Sequence, residues 1–235
     1  MRWLADERVE TIKKALMKMG WFTEKMFLKT LEALQTKDIK LAKQVIEDDS
    51  VLDEMEIEMR KEIILTLGIH QFSGQNLRFL VGAIQIASIF ERIGDNARRM
   101  AQLTMNLLKD QPIKSFPGVV KMGDLAALML KDSLRILADL VVEGAFEVCE
   151  KDAEIDELYS EIYNELVEDS KNFKDNLERN LIFLELCQHV EEIADLTANI
   201  VETVLYVVTG QAYKCFKDQM KLFERSEGVL FETSD

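Results

Sequence analysis

The chain has 235 residues, of which 48% are hydrophobic and 31% charged, a composition typical of globular rather than disordered proteins. Its 43 acidic and 29 basic residues give a formal net charge of −14, which argues against direct binding to nucleic acids or to anionic membrane surfaces. No stretch approaches the roughly 20 apolar residues that cross a bilayer, and the acidic segment after Met1 predicts that there is no signal peptide.

Long helices are expected, because only two prolines and ten glycines occur. Helical patterns cover roughly 3–34, 38–66, 75–109, 119–138, 141–171 and 176–208. Both prolines, Pro112 and Pro117, fall between the third and fourth patterns and mark a boundary. We predict an all-α fold of two tandem three-helix bundles, at residues 1–110 and 119–210.

Matched segments in the two halves indicate internal duplication. The tripeptide that begins at Lys18 recurs at Lys121, 103 residues later, and so does the acidic segment that begins at Asp49. In the third helix of each half the spacing becomes 100 residues, as for the motif that begins at Glu91. A connection three residues longer in the first half explains the change, so the order of features is constant.

Carboxylate pairs interrupt or flank the apolar stripes of the second and third helix of each half. Their members are four residues apart and therefore lie one above the other on the helix surface. The eight residues are Asp49, Asp53, Glu91, Asp95, Asp152, Asp156, Glu191 and Asp195. We predict that the first four form one metal site and the last four another. A single pair of this kind is usually a solvated surface, and the duplication is what favours metal binding.

Four converging carboxylates need neutralisation, because burying even one unpaired charge costs several kcal/mol. Basic residues are scarcer in the second half. The third helix of the first half has Arg92, Arg98 and Arg99, where the second half has Glu192, Ala198 and Asn199. Oxygen ligands suit hard cations or carboxylate-bridged iron and manganese. The sequence leaves open whether Asn199 and Glu202 add further ligands.

The motifs that begin at Glu91 and Glu191 resemble the repeated E(D)xxxD motifs of the PhoU family of phosphate-uptake regulators. The resemblance extends over residues 5–210. It implies that each bundle holds a multinuclear metal cluster, with iron as the first expectation and manganese, zinc or magnesium as alternatives. Family members often carry a histidine directly after the motif aspartate, where this chain has Asn96 and Leu196.

The same resemblance implies a role in regulation. A protein of this family is expected to be cytoplasmic and to form a homodimer. It is expected to link a phosphate ABC transporter to a sensor histidine kinase, and to act as a negative regulator of the phosphate-starvation response.

We therefore predict a non-enzymatic, metal-binding regulator of phosphate uptake. The two histidines, His70 and His189, do not form the paired ExxH motifs of ferritin-like di-iron proteins, and His189 is interpreted as a helix-surface residue. Three alternatives stay open: a carboxylate-bridged metalloenzyme, a metal-storage bundle, and a helical scaffold whose acids only keep it soluble.

Three widely spaced cysteines, Cys149, Cys187 and Cys215, are interpreted as free thiols in a reducing cytoplasm. In the tail, residues 211–235, four apolar residues have the spacing of one helix face: Tyr213, Phe216, Met220 and Phe223. We predict a short amphipathic helix that packs on the second bundle of its own chain. The alternative is that it docks on a second subunit or on a transporter component.

Overall fold

Six long α-helices make up most of the computed structural model, which describes residues 2–108, 117–216 and 219–223. They are α1 (Arg2–Thr36), α2 (Ile39–Ile69), α3 (Gly74–Leu107), α4 (Pro117–Asp139), α5 (Ala145–Asn172) and α6 (Leu177–Thr209). A 3-10 turn (Lys174–Asn176) precedes α6, and two short strands, β1 (Tyr213–Phe216) and β2 (Gln219–Leu222), follow it. The predicted all-α class is confirmed. No helix in these ranges combines the length and apolar character that a membrane span requires.

Local sequence signals account for several helix ends. The Asp38 side chain caps α2 by accepting hydrogen bonds from the backbone N–H groups of Lys40 (2.8 Å) and Leu41 (3.2 Å). Gly210 ends α6 with a left-handed φ of 76°, a conformation that glycine adopts without strain. α5 begins four residues later than predicted, because Gly144 has a φ of 90° and cannot belong to the helix.

Both sets of three helices pack together, and the two sets also pack on each other. The helices α1, α2 and α3 are in mutual contact, and so are α4, α5 and α6. Between the sets, α3 packs on α6 and α1 on α4, so the buried side chains form one contiguous core. Of the predicted boundary, residues 109–116, Pro112 included, lie outside the described residues, while Pro117 begins α4.

Contacts between α1 and α4 are reciprocal. A Cβ atom built on Gly20 would lie 2.5 Å from Cδ2 of Leu134, and one built on Gly123 would lie 2.5 Å from Cδ2 of Leu31. Gly20 matches Gly123 in the duplication, and Leu31 matches Leu134. Each half therefore presents the same surface to the other, as in an isologous dimer interface.

An ion pair joins the first two helices of each half, with its charges exchanged between the halves. In the first half Lys29 Nζ lies 2.6 Å from Asp48 Oδ2, and in the second Lys151 Nζ lies 2.8 Å from Asp132 Oδ2. Lys29 corresponds to Asp132, and Asp48 corresponds to Lys151, both 103 residues apart. Both halves therefore have an ion pair at the same position, but each residue of the pair in one half has the opposite charge to its counterpart in the other half.

Polar contacts cross the interface between α3 and α6. Arg92 pairs with its own counterpart Glu192 at 3.2 Å, and His189 Nδ1 lies 2.7 Å from Asn96 Oδ1. Because Asn96 Nδ2 donates to the Arg92 carbonyl oxygen, Oδ1 is the acceptor and His189 Nδ1–H donates to it. His189 is buried, so its interpretation as a helix-surface residue is wrong. The other half of the molecule covers this face, which the pattern of α6 alone cannot show.

Within the tail, residues 213–216 and 219–222 form the paired strands of a β-hairpin, so the predicted amphipathic helix is wrong there. Residues 217–218 and 224–235 lie outside the described residues. Burial alternates along β1, where Tyr213 and Cys215 are half-buried while Lys214 and Phe216 are exposed. β1 packs on α6, and β2 packs on α5 through the buried side chain of Met220. These tertiary contacts decide the conformation of a segment too short to form a stable helix alone. The hairpin packs on the second bundle of its own chain, as expected.

Two of the three cysteines form a disulfide, so their interpretation as free thiols is also wrong. Cys149 of α5 is bonded to Cys215 of β1, and their Cα atoms are 5.7 Å apart. Cys187 stays a thiol inside the core, where burial raises its pKa to about 12. The hairpin brings together two residues separated by 66 positions, which spacing alone could not indicate.

Candidate metal centres

In the first half, the predicted carboxylates of α2 and α3 face each other across Arg98. The Arg98 guanidinium donates from Nη2 to Asp95 Oδ1 at 2.6 Å. Its Nε lies 2.7 Å from Asp49 Oδ2, an ion pair that lacks the alignment of a hydrogen bond. One arginine therefore bridges the two helices. We call Asp49, Asp53, Glu91 and Asp95 the first cluster.

Burial and mutual repulsion act on the first cluster together. Burial is the main cause of the raised pKa of Asp49. Arg98 opposes this shift, whereas the charges of Asp53 and Asp95 add to it. Burial likewise raises the pKa of Glu91, with smaller contributions from Asp95 and the acids of α2. The carboxylates therefore lie close enough to disfavour one another's charge.

Sequence reasoning missed one acid beside the first cluster. Glu56 of α2 is buried, pairs with Arg60, and contributes to the raised pKa of Glu91. Its position, four residues after Leu52 on the apolar stripe, was a usable signal. The second half has Tyr159 at the matching position, so the two clusters differ in composition.

The second cluster consists of Asp152 and Asp156 on α5 with Glu191 and Asp195 on α6. Burial, followed by the other three carboxylates and Glu202, raises the pKa of Asp152 to about 7. The pKa values of the other three are raised as well, in each case mainly by burial. None of these four carboxylates takes part in an ion pair within the described ranges.

A cation reaches the edge of the second cluster from the hairpin. Lys214 Nζ donates to Glu202 Oε2 and, at 3.4 Å, to Asn199 Oδ1. The Cys215 backbone N–H donates to Glu202 Oε1 at 2.8 Å. Each carboxylate oxygen of Glu202 therefore accepts a hydrogen bond from the hairpin.

The structure brings all eight predicted residues into two groups, each spanning two helices. Among the described residues, no three His, Cys, Asp or Glu side chains converge in the geometry of a metal site. The carboxylates of each group are nevertheless close enough for their charges to repel, and this repulsion contributes to the raised pKa values of Glu91 and Asp152. Partly desolvated oxygen donors with few basic partners suit hard divalent cations or iron, so the donor set fits the expected metal.

Comparisons with known proteins give the relatives of this chain. The PhoU domain family matches it twice, over residues 16–104 and 119–204. The phosphate-specific transport system accessory protein PhoU homolog 2 of Thermotoga maritima is 38% identical over the full length of both chains. The PhoU homolog of Clostridium acetobutylicum is 29% identical, covering 89% of this chain and 96% of that one.

Solved structures show the same fold. The crystal structure of PhoU from Pseudomonas aeruginosa superposes with a TM-score of 0.84 at 27% identity, covering 87% of this chain and 99% of that chain. The phosphate transport system regulatory protein PhoU from Streptococcus pneumoniae gives a TM-score of 0.80 at 25% identity, covering 88% and 98%.

Proposed function

The chain belongs to the PhoU family, and from that membership we propose that it is an accessory and regulatory protein of phosphate-specific transport. It acts without catalysing a reaction. The names of its relatives support this role, since they describe accessory proteins of phosphate-specific transport.

In finer detail, the protein is a cytoplasmic homodimer that contacts a phosphate ABC transporter and a sensor histidine kinase. It represses the phosphate-starvation response while phosphate is plentiful. Its formal net charge of −14 supports attraction to a basic surface on a protein partner.

Metal binding at the two clusters is the second part of the proposal. The single observation that carries it is the second cluster, where four carboxylates have no ion-pair partner among the described residues. The pKa values of all four are raised, and Asp152 and Glu191 are partly buried. A bound multinuclear cluster, with iron as the first expectation, would supply the positive charge that offsets their repulsion. Asp152 and Asp156 would hold it from α5, and Glu191 and Asp195 from α6.

Elemental analysis tests the metal proposal. We expect protein purified without added metal to contain a fixed number of metal ions per chain. The double variant Glu91→Ala with Asp95→Ala should lose those of the first cluster and keep those of the second. The matched control is Glu54→Ala with Glu58→Ala, an exposed i,i+4 pair on α2 that loses the same charge. An unchanged metal content in the first variant would contradict the assignment.

A cellular assay tests the regulatory role separately. Deleting the protein should switch on a phosphate-starvation reporter in phosphate-rich medium, and the wild-type chain should switch it off again. Normal repression in the deletion strain would contradict the proposal. A metal content that rises with the iron supplied, without a fixed ratio, would favour the storage alternative instead.

A further inference from the structure

The hairpin formed by β1 and β2 covers the second cluster at Glu202. The Glu202 side chain is only 10% exposed, because Lys214 binds one of its oxygens and the Cys215 N–H binds the other. The Lys214 ammonium therefore places a positive charge at the edge of the cluster, and it comes from outside the bundle.

A covalent bond holds the hairpin in this position. Cys215 of β1 is bonded to Cys149 of α5, which lies three residues, or just under one helical turn, before Asp152. The Cys215 Sγ atom lies 3.8 Å from Asp152 Oδ2, so the disulfide touches a predicted metal ligand. Cys215 therefore contacts both Asp152, through its sulfur, and Glu202, through its backbone N–H.

The first cluster has no corresponding cover among the described residues. Its cation, Arg98, belongs to α3, the same helix that carries Glu91 and Asp95. The matched part of the PhoU domain ends at residue 204, so the hairpin lies beyond it. The covered cluster is thus distinguished by an element outside the matched domain, which the disulfide and the buried Met220 side chain attach to the bundle.

We propose that the hairpin is a redox-controlled lid on the second cluster, an inference that rests on the proposed metal binding. While the disulfide is intact, the lid holds Lys214 on Glu202 and keeps that carboxylate from a metal ion. Reduction releases the tether, so that Lys214 leaves and Glu202 joins the other ligands. Disulfides that form in a reducing cytoplasm are usually transient and redox-sensing, which suits this role.

The reductant is a dithiol, which acts by thiol–disulfide exchange. One of its thiolates attacks Sγ of Cys215, the more exposed of the two sulfurs, and the Cys149–Cys215 bond breaks. Its second thiol then displaces Cys215, and the reductant becomes a cyclic disulfide. Two electrons and two protons pass from the reductant to the protein, so that Cys149 and Cys215 each end as a thiol.

The test measures lid opening and metal binding separately, on the full-length chain. Amide hydrogen exchange of residues 213–222 reports the lid, and the electron paramagnetic resonance of free Mn²⁺ reports binding. Oxidised protein is compared with protein reduced by dithiothreitol and desalted without oxygen. We expect faster exchange in the hairpin and Mn²⁺ binding about tenfold tighter at the second cluster after reduction.

Variants locate the effect. Cys149→Ser with Cys215→Ser should behave like reduced protein without any reductant, whereas Cys187→Ser should respond to reduction as the wild type does. Lys214→Ala should tighten Mn²⁺ binding even in the oxidised, tethered protein. Its matched control is Lys221→Ala, which removes a lysine of the same hairpin that lies over Phe216 instead.

The outcomes distinguish a failure of the lid proposal from a failure of the proposed metal binding. Unchanged hairpin exchange after reduction, or faster exchange with unchanged Mn²⁺ binding at the second cluster, would overturn the lid. A hairpin that opens in protein that binds no Mn²⁺ at either cluster would overturn the proposed metal function, and with it the lid's control over metal.

Discussion

At the scale of single residues, Asp152 differs from the other carboxylates in how strongly its surroundings resist its charge. Burial raises its pKa to about 7, from a usual value of 3.8. Because the folded-state pKa is the higher one, folding favours the protonated form. The contribution of Asp152 to stability is therefore fully present below about pH 4 and is lost as the pH rises through about 7.

The first prediction is that Asp152→Asn stabilises the metal-free protein at pH 8. We expect a gain in the free energy of unfolding of about 2 kcal/mol, roughly half of what the full pKa shift would give, since the side chain is partly exposed. The gain should shrink toward pH 4. Denaturant titrations at several pH values measure it, with the exposed Glu154→Gln as control. A gain independent of pH would contradict the prediction.

The sequence revealed candidate site residues only where a motif occurs in both halves of the chain. The eight carboxylates stand out in the sequence because the same i,i+4 pairs occur in both halves, and their role as metal ligands stays a prediction. Glu56 was missed because Tyr159 replaces it in the second half, and the hairpin's binding to Glu202 was missed because Lys214 reaches it through tertiary folding. Contacts made once, between distant segments, leave no periodic signal.

At the scale of helices, the close approach of α1 and α4 depends on glycine. A Cβ atom at Gly20 would lie 2.5 Å from Leu134 Cδ2 and 2.7 Å from Phe90 Cζ. Both neighbours are buried and have little room to move. The second prediction is that Gly20→Ala lowers the free energy of unfolding by about 1–3 kcal/mol.

Gly68 supplies the control for that substitution. It lies within α2, and a Cβ atom added there would meet no other atom within 4 Å. Gly68→Ala should therefore be neutral or stabilising, by up to about 1 kcal/mol. Thermal or denaturant unfolding compares the two variants. Equal effects at Gly20 and Gly68 would show that helix propensity, rather than packing, governs both positions.

The third prediction concerns the ion pair between α1 and α2. Lys29→Asp alone should destabilise the protein by about 1–2 kcal/mol, because it places two carboxylates together in a partly buried contact. Adding Asp48→Lys should restore most of that loss, because it recreates the arrangement of Asp132 and Lys151. A double-mutant cycle of unfolding free energies measures the coupling. Additive losses would argue against structural equivalence of the two pairs.

Helices were easier to predict than the tail, for a physical reason. Each helix repeats its apolar spacing over about 23–35 residues, so chance matches are rare. The prediction for the tail is based on the spacing of only four apolar residues, which fits a helix face although residues 213–216 and 219–222 form strands. The disulfide was not predicted, because only the packing of the hairpin on α5 brings the distant Cys149 and Cys215 together.

At the scale of the whole molecule, the two three-helix sets share one core and should unfold together. The fourth prediction is that Leu52→Ala, a change inside α2, lowers the protection of α5 amides against hydrogen exchange. Leu52 is fully buried, so the loss should be about 2–5 kcal/mol in both halves. The neighbouring, exposed Val51→Ala is the control. Unchanged protection in α5 would mean that the sets unfold independently.

The exchanged charges of the two ion pairs have a consequence for folding fidelity. A duplicated chain can assemble wrongly, with the first helix of one half taking the place of its counterpart in the other. Pairing α1 with α5 would bring Lys29 against Lys151, and pairing α4 with α2 would bring Asp132 against Asp48. Both wrong assemblies would place like charges together, whereas both correct ones place opposite charges together. The exchange therefore favours the pairing of each helix with the neighbour from its own half.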